Sequence, residues 1–550
     1  MDSSSKEAVE DKAYAGSPSH RNPDVETADI GIINKSANPL ARNLQGRHMQ
    51  MIAIGGAIGA GLFVGSGSAL STGGPGALVV GYIIVGSMLL CTVQALAELA
   101  VLYPVNGAFY TYIVRFVDPS LGFAVGWDYA IQWLTVLPFE LTAAGITIQF
   151  WNDTINVAAW ISIFLVALSV IQIFGVRGYG EVEFVLSIIK ILGVVGFIIL
   201  GIIIDCGGTG PQGYIGAKYW HQPGAFHHGF RGFASVFVVA AFAFSGTELV
   251  GLAAAEAADP RKSVPAATKQ VFWRIGIFYV LSLFIMGLIV PSDNPNLLNA
   301  SGAHTKYSPF VIAIKLAGIK VLPSIFNAII TVSVISVANS CTFGSTRTMQ
   351  ALAERGMGPK FLAYVDTQGR PIWAVAVQLC FGCLAYIGCA SGESTIFNWL
   401  LSLSGLSDFF VWGSICLAHI RFRHAWKAQG YTKSELPYQA ALGVLGSYYG
   451  LLLNILCMIA TFYNALWPVG AGPDAQAFFE AYLAAPIIIA LYLGWKLWVH
   501  FGRKDPLSFY IRSADMDLTS NMRRLVLDDD FVPPKRTLKN LPMRIIRGLI

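Results

Sequence analysis

Two stretches of this chain crowd glycine into otherwise apolar sequence: Ile54-Gly55-Gly56-Ala57-Ile58-Gly59-Ala60-Gly61-Leu62-Phe63 and Phe242-Ala243-Phe244-Ser245-Gly246-Thr247-Glu248. A helix that loses its winding at such a place exposes N–H groups on one half and carbonyls on the other, each with the sign of the helix dipole. Those ends complement a carboxylate and an ammonium, so a zwitterion such as an amino acid can be held with no charged side chain. Hydrocarbon tolerates unwound backbone only where protein or a water-filled cavity satisfies it, which makes glycine-broken runs markers of a cavity. The competing reading is close helix packing through small residues, and Gly55 with Gly59 and Gly61 with Gly65 have the spacing for it. Recurrence of the feature in the second half of the chain favours the break.

Charged side chains inside apolar runs are the second signal, because each costs about 3 kcal/mol or more at mid-membrane. Lys190, in Ser187-Ile188-Ile189-Lys190-Ile191-Leu192-Gly193, is a candidate for taking up and releasing a proton. The alternative is that it snorkels to the interface, about six residues away. Glu140 and Glu248 are further candidates for a proton path or for polar support of the broken helices. Glu98, near the end of its run, reads as a structural pairing. Asp408, in Ser404-Gly405-Leu406-Ser407-Asp408-Phe409, reads as a hydrogen-bond partner of a neighbouring helix, with contact to substrate or proton as the alternative.

Enzymatic chemistry has no comparable foothold. No Ser/His/Asp set, paired-metal spacing or phosphate loop stands in a suitable context, and Cys380-x-x-Cys383 lies in an apolar run without a second pair, so neither a metal nor a cofactor is expected. His227-His228 reads as an ordinary solvated pair.

The elements that must position these residues are membrane helices. The 550 residues are 55% hydrophobic and 13% charged, with mean hydropathy +0.58, whereas soluble domains carry about 25% charged residues. Charges gather in residues 1–48, in the last 55 residues and in short connectors, which leaves apolar runs long enough to cross a bilayer. Six such spans fall at 49–70, 77–102, 121–149, 158–174, 184–204 and 232–255, and six more at 272–290, 322–346, 373–390, 395–420, 444–466 and 479–500. With both termini cytosolic, 31 of the 37 Lys and Arg lie on inner segments or at the inner ends of spans, five on outer segments and Lys190 deeper within a span, which sets the orientation strongly. No apolar leader precedes the first span, so residues 1–48 read as a disordered cytosolic tail. Two sequons, Asn152-Asp153-Thr154 and Asn299-Ala300-Ser301, fall on predicted outer loops.

Spans 1 and 6 occupy corresponding places in two five-helix halves of opposite topology, the pattern of an inverted-repeat transporter. The halves are residues 49–204 and 232–420, followed by spans 11 and 12 at 444–500 and a cytosolic C-tail at 501–550.

Ordered motifs carry a family resemblance over residues 40–500. They run from Arg47-His48-Met49 and the first glycine motif through Glu98-Leu99-Ala100, Tyr103-Pro104 and Leu137-Pro138-Phe139-Glu140-Leu141-Thr142. They continue through Phe244-Ser245-Gly246-Thr247-Glu248, Asp259-Pro260-Arg261-Lys262-Ser263-Val264-Pro265, Ala338-Asn339-Ser340 and Ala351-Leu352-Ala353 to His419-Ile420-Arg421-Phe422-Arg423. The chain resembles the fungal amino-acid permeases, the yeast amino acid transporter family of the amino acid–polyamine–organocation superfamily. The resemblance implies an all-α membrane protein of about twelve transmembrane helices, with a LeuT-like five-plus-five inverted repeat, broken spans 1 and 6, two extra C-terminal spans, and proton-coupled uptake.

Carried over position by position, the resemblance places the substrate ammonium at the Ala57 carbonyl and nearby backbone of Ile58 and Gly59, and the carboxylate at the amides around Ala60 and Gly61. Ala60 stands where many relatives carry Thr, so carboxylate binding rests here on backbone alone. Phe242 and Phe244 resemble aromatics that cover the substrate or line its side-chain pocket, while Ser245, Gly246 and Thr247 would supply carbonyls and hydroxyls. Lys190 matches a lysine that, in proton-coupled relatives, fills the place of a sodium ion, and Lys6 and Lys12 would accept ubiquitin from a ligase acting on the tails.

The sequence therefore reads as a plasma-membrane amino-acid importer driven by protons. Its expected partners are the amino-acid substrate, protons, membrane lipids and ubiquitin-ligase machinery, and no nucleic acid. An amino-acid or polyamine exchanger of the same superfamily, or a transporter-like sensor, is the alternative.

Overall fold

Each of the twelve apolar runs coincides with helix in the computed structural model, which describes residues 40, 42–209, 212–298, 308–389, 393–504 and 508–522. Among the described residues nine helices are long and apolar enough to cross a membrane, and shorter apolar helices at Val157–Ile173 and Ile372–Ile387 take the places of spans 4 and 9. Helix is the form that satisfies every backbone group within its own segment, as lipid requires. The helical stretch Gly61–Leu102 holds two of the expected runs, because the chain turns at Gly74, where φ is +85°, ahead of Pro75. A Cβ at Gly74 would stand 2.7 Å from the Ala225 carbonyl oxygen, so glycine is required by space as well as by backbone.

Several helices start before their hydropathy runs do, by the most at span 7 (Pro260) and span 5 (Gly175), with span 1 starting at Gly46. The added turns are polar on one side and packed on protein rather than lipid, which a hydropathy window cannot register. Gly46 to His48 thus lie in helix although they belong to the stretch read as tail, and Leu44 is fully buried. Lys6, Lys12 and the Asn299 sequon lie outside the described residues.

Leu44 also fixes the relative direction of the two glycine-rich spans. Its N–H donates to the Glu256 carbonyl at 3.1 Å, and its carbonyl accepts from the Ala258 N–H at 2.9 Å. The start of span 1 therefore lies beside the end of span 6, and the two run in opposite directions. Span 6 is the innermost helix among the described residues, with 94% of its apolar window buried, followed by span 10 (Leu403–Ala428) at 83% and span 3 (Pro119–Ile148) at 78%. Spans 11 (Gly443–Leu466) and 12 (Ala484–Arg503) are peripheral at 33% and 22%, and turn residues such as Leu445 and Leu497 outward.

Residues 508–522 pack on the connector that follows span 2 and on the end of span 10. Ile511 donates to the Val117 carbonyl at 3.0 Å, Tyr103 donates to the Leu518 carbonyl at 2.8 Å, and Met516 and Leu518 are buried. Burial there pushes the Asp517 carboxyl up, but bonds from the Ser520 hydroxyl and the Ser520 and Thr519 amides outweigh it and hold the group below the usual carboxylate range.

Candidate functional site

Both glycine-rich runs lose their helical winding. The helix Gly46–Gly55 stops, residues 56–59 are irregular, and winding resumes as a π-turn at Gly61–Gly65. In the second run the helix Gly229–Phe244 ends at Ser245 with extended ψ, Gly246 takes φ +91°, and a short helix resumes at Leu249–Ala253. The breaks lie side by side: a Cβ on Gly61 would stand 2.6 Å from Ala243 Cα, and one on Gly246 would stand 3.3 Å from the Gly56 carbonyl oxygen. A Cβ on Gly59 would overlap a methyl of Val337 in span 8 (Leu322–Glu354) and come 3.6 Å from Glu140 Oε1. Ile58 and Ala60 are buried between these contacts.

Span 7 supplies donors to both breaks. The Tyr279 hydroxyl lies 3.0 Å from the Ala57 carbonyl and 2.8 Å from the Ala243 carbonyl, and the fully buried Arg274 guanidinium donates to the Ala53 carbonyl and the Thr247 hydroxyl. The carbonyl ends of two half-helices are thereby held by side chains, the requirement every helix C-terminus carries. The Ala57 carbonyl, assigned on sequence to a substrate ammonium, already accepts one hydrogen bond and keeps its second lone pair.

The two aromatics of span 6 diverge. Phe242 packs edge-on against Phe139 at 5.2 Å, beside Gly61, whereas Phe244 packs with Tyr279 at 4.4 Å and Tyr82 at 5.6 Å, toward spans 2 and 7.

Lys190 is fully buried rather than at the rim of its helix. Its ammonium lies 3.7 Å from Glu183 Oε1, which also accepts from Ser187 at 3.1 Å, while Glu183 Oε2 accepts from Ser336 of span 8 at 2.6 Å. Glu140 is within electrostatic reach of the same ammonium, and its Oε2 has no hydrogen-bond partner among the described residues. Ser187 reaches the Met51 carbonyl of span 1 at 3.3 Å, which ties this group to the first break.

A second polar group meets the break of span 6. Glu248 Oε1 accepts from the Tyr129 hydroxyl at 2.8 Å and the Gly246 amide at 3.1 Å, and its Oε2 accepts from Trp412 at 3.2 Å. Thr247 donates to the Phe244 carbonyl at 2.6 Å. Ser245 donates to Asp408 Oδ1 at 3.0 Å, and Gln132 of span 3 donates to the same oxygen at 2.8 Å. Asp408 does bond to a neighbouring helix, as its sequence context suggested, and does so at the break itself.

Sequence reasoning passed over Glu183, Arg274, Tyr279, Gln132 and Asp128. Glu183 fell in a connector because span 5 was started at residue 184, yet seven residues, two helical turns, separate it from Lys190. Arg274 reads with the basic residues that lead into span 7, although it falls inside the 272–290 run and the apolar residues beyond it already place it in helix. Gln132 and Asp128 sit on the same face of span 3 four residues apart, a polar stripe in an apolar run that would have flagged them.

The comparisons with known proteins agree with this layout. The family model described as "Amino acid permease" matches residues 48–507. The general amino-acid permease GAP2 of Candida albicans is 51% identical, over 92% of this chain and 85% of its own length. The Cationic amino acid transporter 1 of Schizosaccharomyces pombe is 53% identical, over 84% and 79%. Among solved structures, a manganese transporter of Eremococcus coleocola superposes with TM-score 0.51 at 13% identity, over 86% of this chain and 99% of that one, a likeness of fold.

Proposed function

The chain belongs to the amino acid permease family, and on that premise we propose that it imports amino acids across the plasma membrane by proton symport, with both termini in the cytosol. Amino-acid transport across a membrane is the family's work; direction, coupling ion and membrane are our reading. Residues 49–204 and 232–420 act as the two inverted repeats, and spans 1 and 6 rock against the rest of the bundle. The amides around Ala60 and Gly61 take the substrate carboxylate. The free lone pair of the Ala57 carbonyl, with the backbone of Ile58 and Gly59 and the Ser245, Gly246 and Thr247 groups, takes the ammonium. Phe242 covers the substrate, and Phe244, anchored on Tyr279 and Tyr82, sets its position. Lys190 exchanges the coupling proton with Glu140 nearby, and Glu248 braces the break of span 6.

One observation carries this reading: two antiparallel helices unwind at the same place, close enough that a Cβ on Gly61 would lie 2.6 Å from Ala243 Cα. Each unwound end presents peptide groups released from the helical ladder, with the sign of its half-helix dipole, which is what a zwitterion requires. The names of the relatives cover general and cationic amino acids, so selectivity rests on residues around this centre.

The test is uptake of labelled amino acids in a transport-deficient fungal host. Wild-type protein is expected to accumulate substrate against its gradient in proportion to the proton gradient, and Gly61→Leu to lose uptake while remaining at the cell surface. Normal uptake by that variant would remove the binding assignment, and exchange without proton-driven accumulation would replace the importer with an exchanger.

A further inference from the structure

Asp408 lies on span 10 and is fully buried. Its Oδ1 accepts from two neutral donors, the Gln132 amide and the Ser245 hydroxyl, and its Oδ2 has no partner among the described residues. No Lys, Arg or His among those residues comes within 4.0 Å of it, and the charged groups it does feel, Glu248 and Asp128, are acidic. Asp128 repeats the pattern: one oxygen accepts from Ser407 at 3.0 Å and the other is unpartnered, and Gln132 Oε1 is unpartnered as well. Three buried acceptor oxygens, on spans 3 and 10 where Gln132 bonds Asp408 and Ser407 bonds Asp128, therefore lack donors among the described residues. Buried polar atoms are nearly always satisfied, so such a set calls for an occupant rich in donors. A buried carboxylate without a cation is costlier still.

We propose that Asp408, with Gln132 and Asp128, forms a side-chain subsite that takes the ammonium or guanidinium of a basic amino acid. The proposal rests on the amino-acid transport reading and names the substrate class for it. Ser245 links the two places: it is where span 6 leaves its helix, and its hydroxyl bonds Asp408, so a substrate held at the break can send its side chain toward span 10. An ammonium offers three N–H donors and a guanidinium five, which match the vacant acceptors, while an aliphatic side chain would leave them unpaired.

The test compares charged amino acids with neutral analogues: arginine against citrulline, its near-isostere, and lysine against norleucine, which lacks the terminal amine. In competition for labelled uptake the wild-type protein should prefer the charged member by about tenfold or more, the size of one charge-assisted hydrogen bond. Asp408→Asn should bring that ratio close to one, whatever happens to absolute rates. Thermal stabilisation of purified wild-type protein by each of the four compounds gives the same ratio without a variant. Equal competition and equal stabilisation by arginine and citrulline, or an unchanged ratio in Asp408→Asn, would overturn the subsite. Uptake of neutral amino acids with no preference for charge would remove the subsite alone, whereas no uptake or stabilisation by any amino acid would remove the transport reading on which it rests.

Discussion

Buried charge is treated in opposite ways at the end of the helix bundle and at its broken centre. At the end, Glu98 is ringed by partners: His419 at 3.0 Å, the Arg423 guanidinium at 2.6 Å and the Ala440 amide at 2.8 Å, with His419 held in turn by Ser447. Glu256 pairs with Arg347 at 2.8 Å and Asp118 with Lys496 at 3.0 Å. At the centre, the carboxylates of Glu140, Glu183, Glu248, Asp128 and Asp408 have only Lys190 and Arg274 as buried cations among the described residues around them. A matched pair gives up its hydration once and then fixes geometry. A surplus of acid stays buried only if protons or cationic cargo neutralise it. On the proposed reading, the end is built for architecture and the centre for traffic in positive charge.

The sharpest way to break that contrast is to remove the lysine at the centre. Lys190→Met deletes the cation between Glu183 and Glu140 without changing much volume, and proton-driven accumulation should disappear while the protein still exchanges substrate down its gradient. Accumulation that still followed an imposed pH gradient would leave Lys190 as a packing group and the contrast without its central member.

The matching change at the end should do the reverse. Glu98→Gln leaves Arg423 and His419 buried without their carboxylate, and breaking one partner of a buried pair costs about 3–5 kcal/mol. Thermal stability in detergent and surface abundance should fall sharply, with KM and the pH profile of the surviving protein unchanged. A shifted pH profile with stability intact would place Glu98 in the proton path and erase the division of labour.

Much of this was legible in the sequence because lipid makes it so. Hydropathy runs located the long apolar helices, since a bilayer admits little else, and the glycine clusters located both breaks. Lys190, Glu140 and Glu248 stood out because a charge in an apolar run needs a reason. Glu183 and Arg274 did not, since they lie on turns that pack against protein and blend into basic connectors. Tyr279 was hidden for a different cause: an aromatic in Ile277-Phe278-Tyr279-Val280 looks like core, and only the fold reveals that its hydroxyl meets the carbonyls of Ala57 and Ala243, far apart in the chain and drawn from different breaks. The opposite roles of Phe242 and Phe244 were equally unreadable, because residues two apart on a helix face different neighbours.

Tyr279 offers the mildest and finest probe of the centre. Tyr279→Phe keeps the ring against Phe244 and Tyr82 and removes only the hydroxyl that joins the Ala57 and Ala243 carbonyls. Each neutral hydrogen bond is worth about 1 kcal/mol, so KM should rise by between about threefold and thirtyfold, with Vmax and surface abundance little changed. The direction is informative because two effects oppose each other. Losing the hydroxyl frees a lone pair on the Ala57 carbonyl for the substrate ammonium, yet it also releases that carbonyl from the geometry in which the ammonium finds it. A fixed acceptor binds better than a loose one with an extra lone pair, since the substrate needs only one bond there and must otherwise supply the ordering itself. A fall in KM would mean that the hydroxyl competes with substrate, and the centre would then be a place where the protein's own donors are displaced by cargo rather than one they prepare for it.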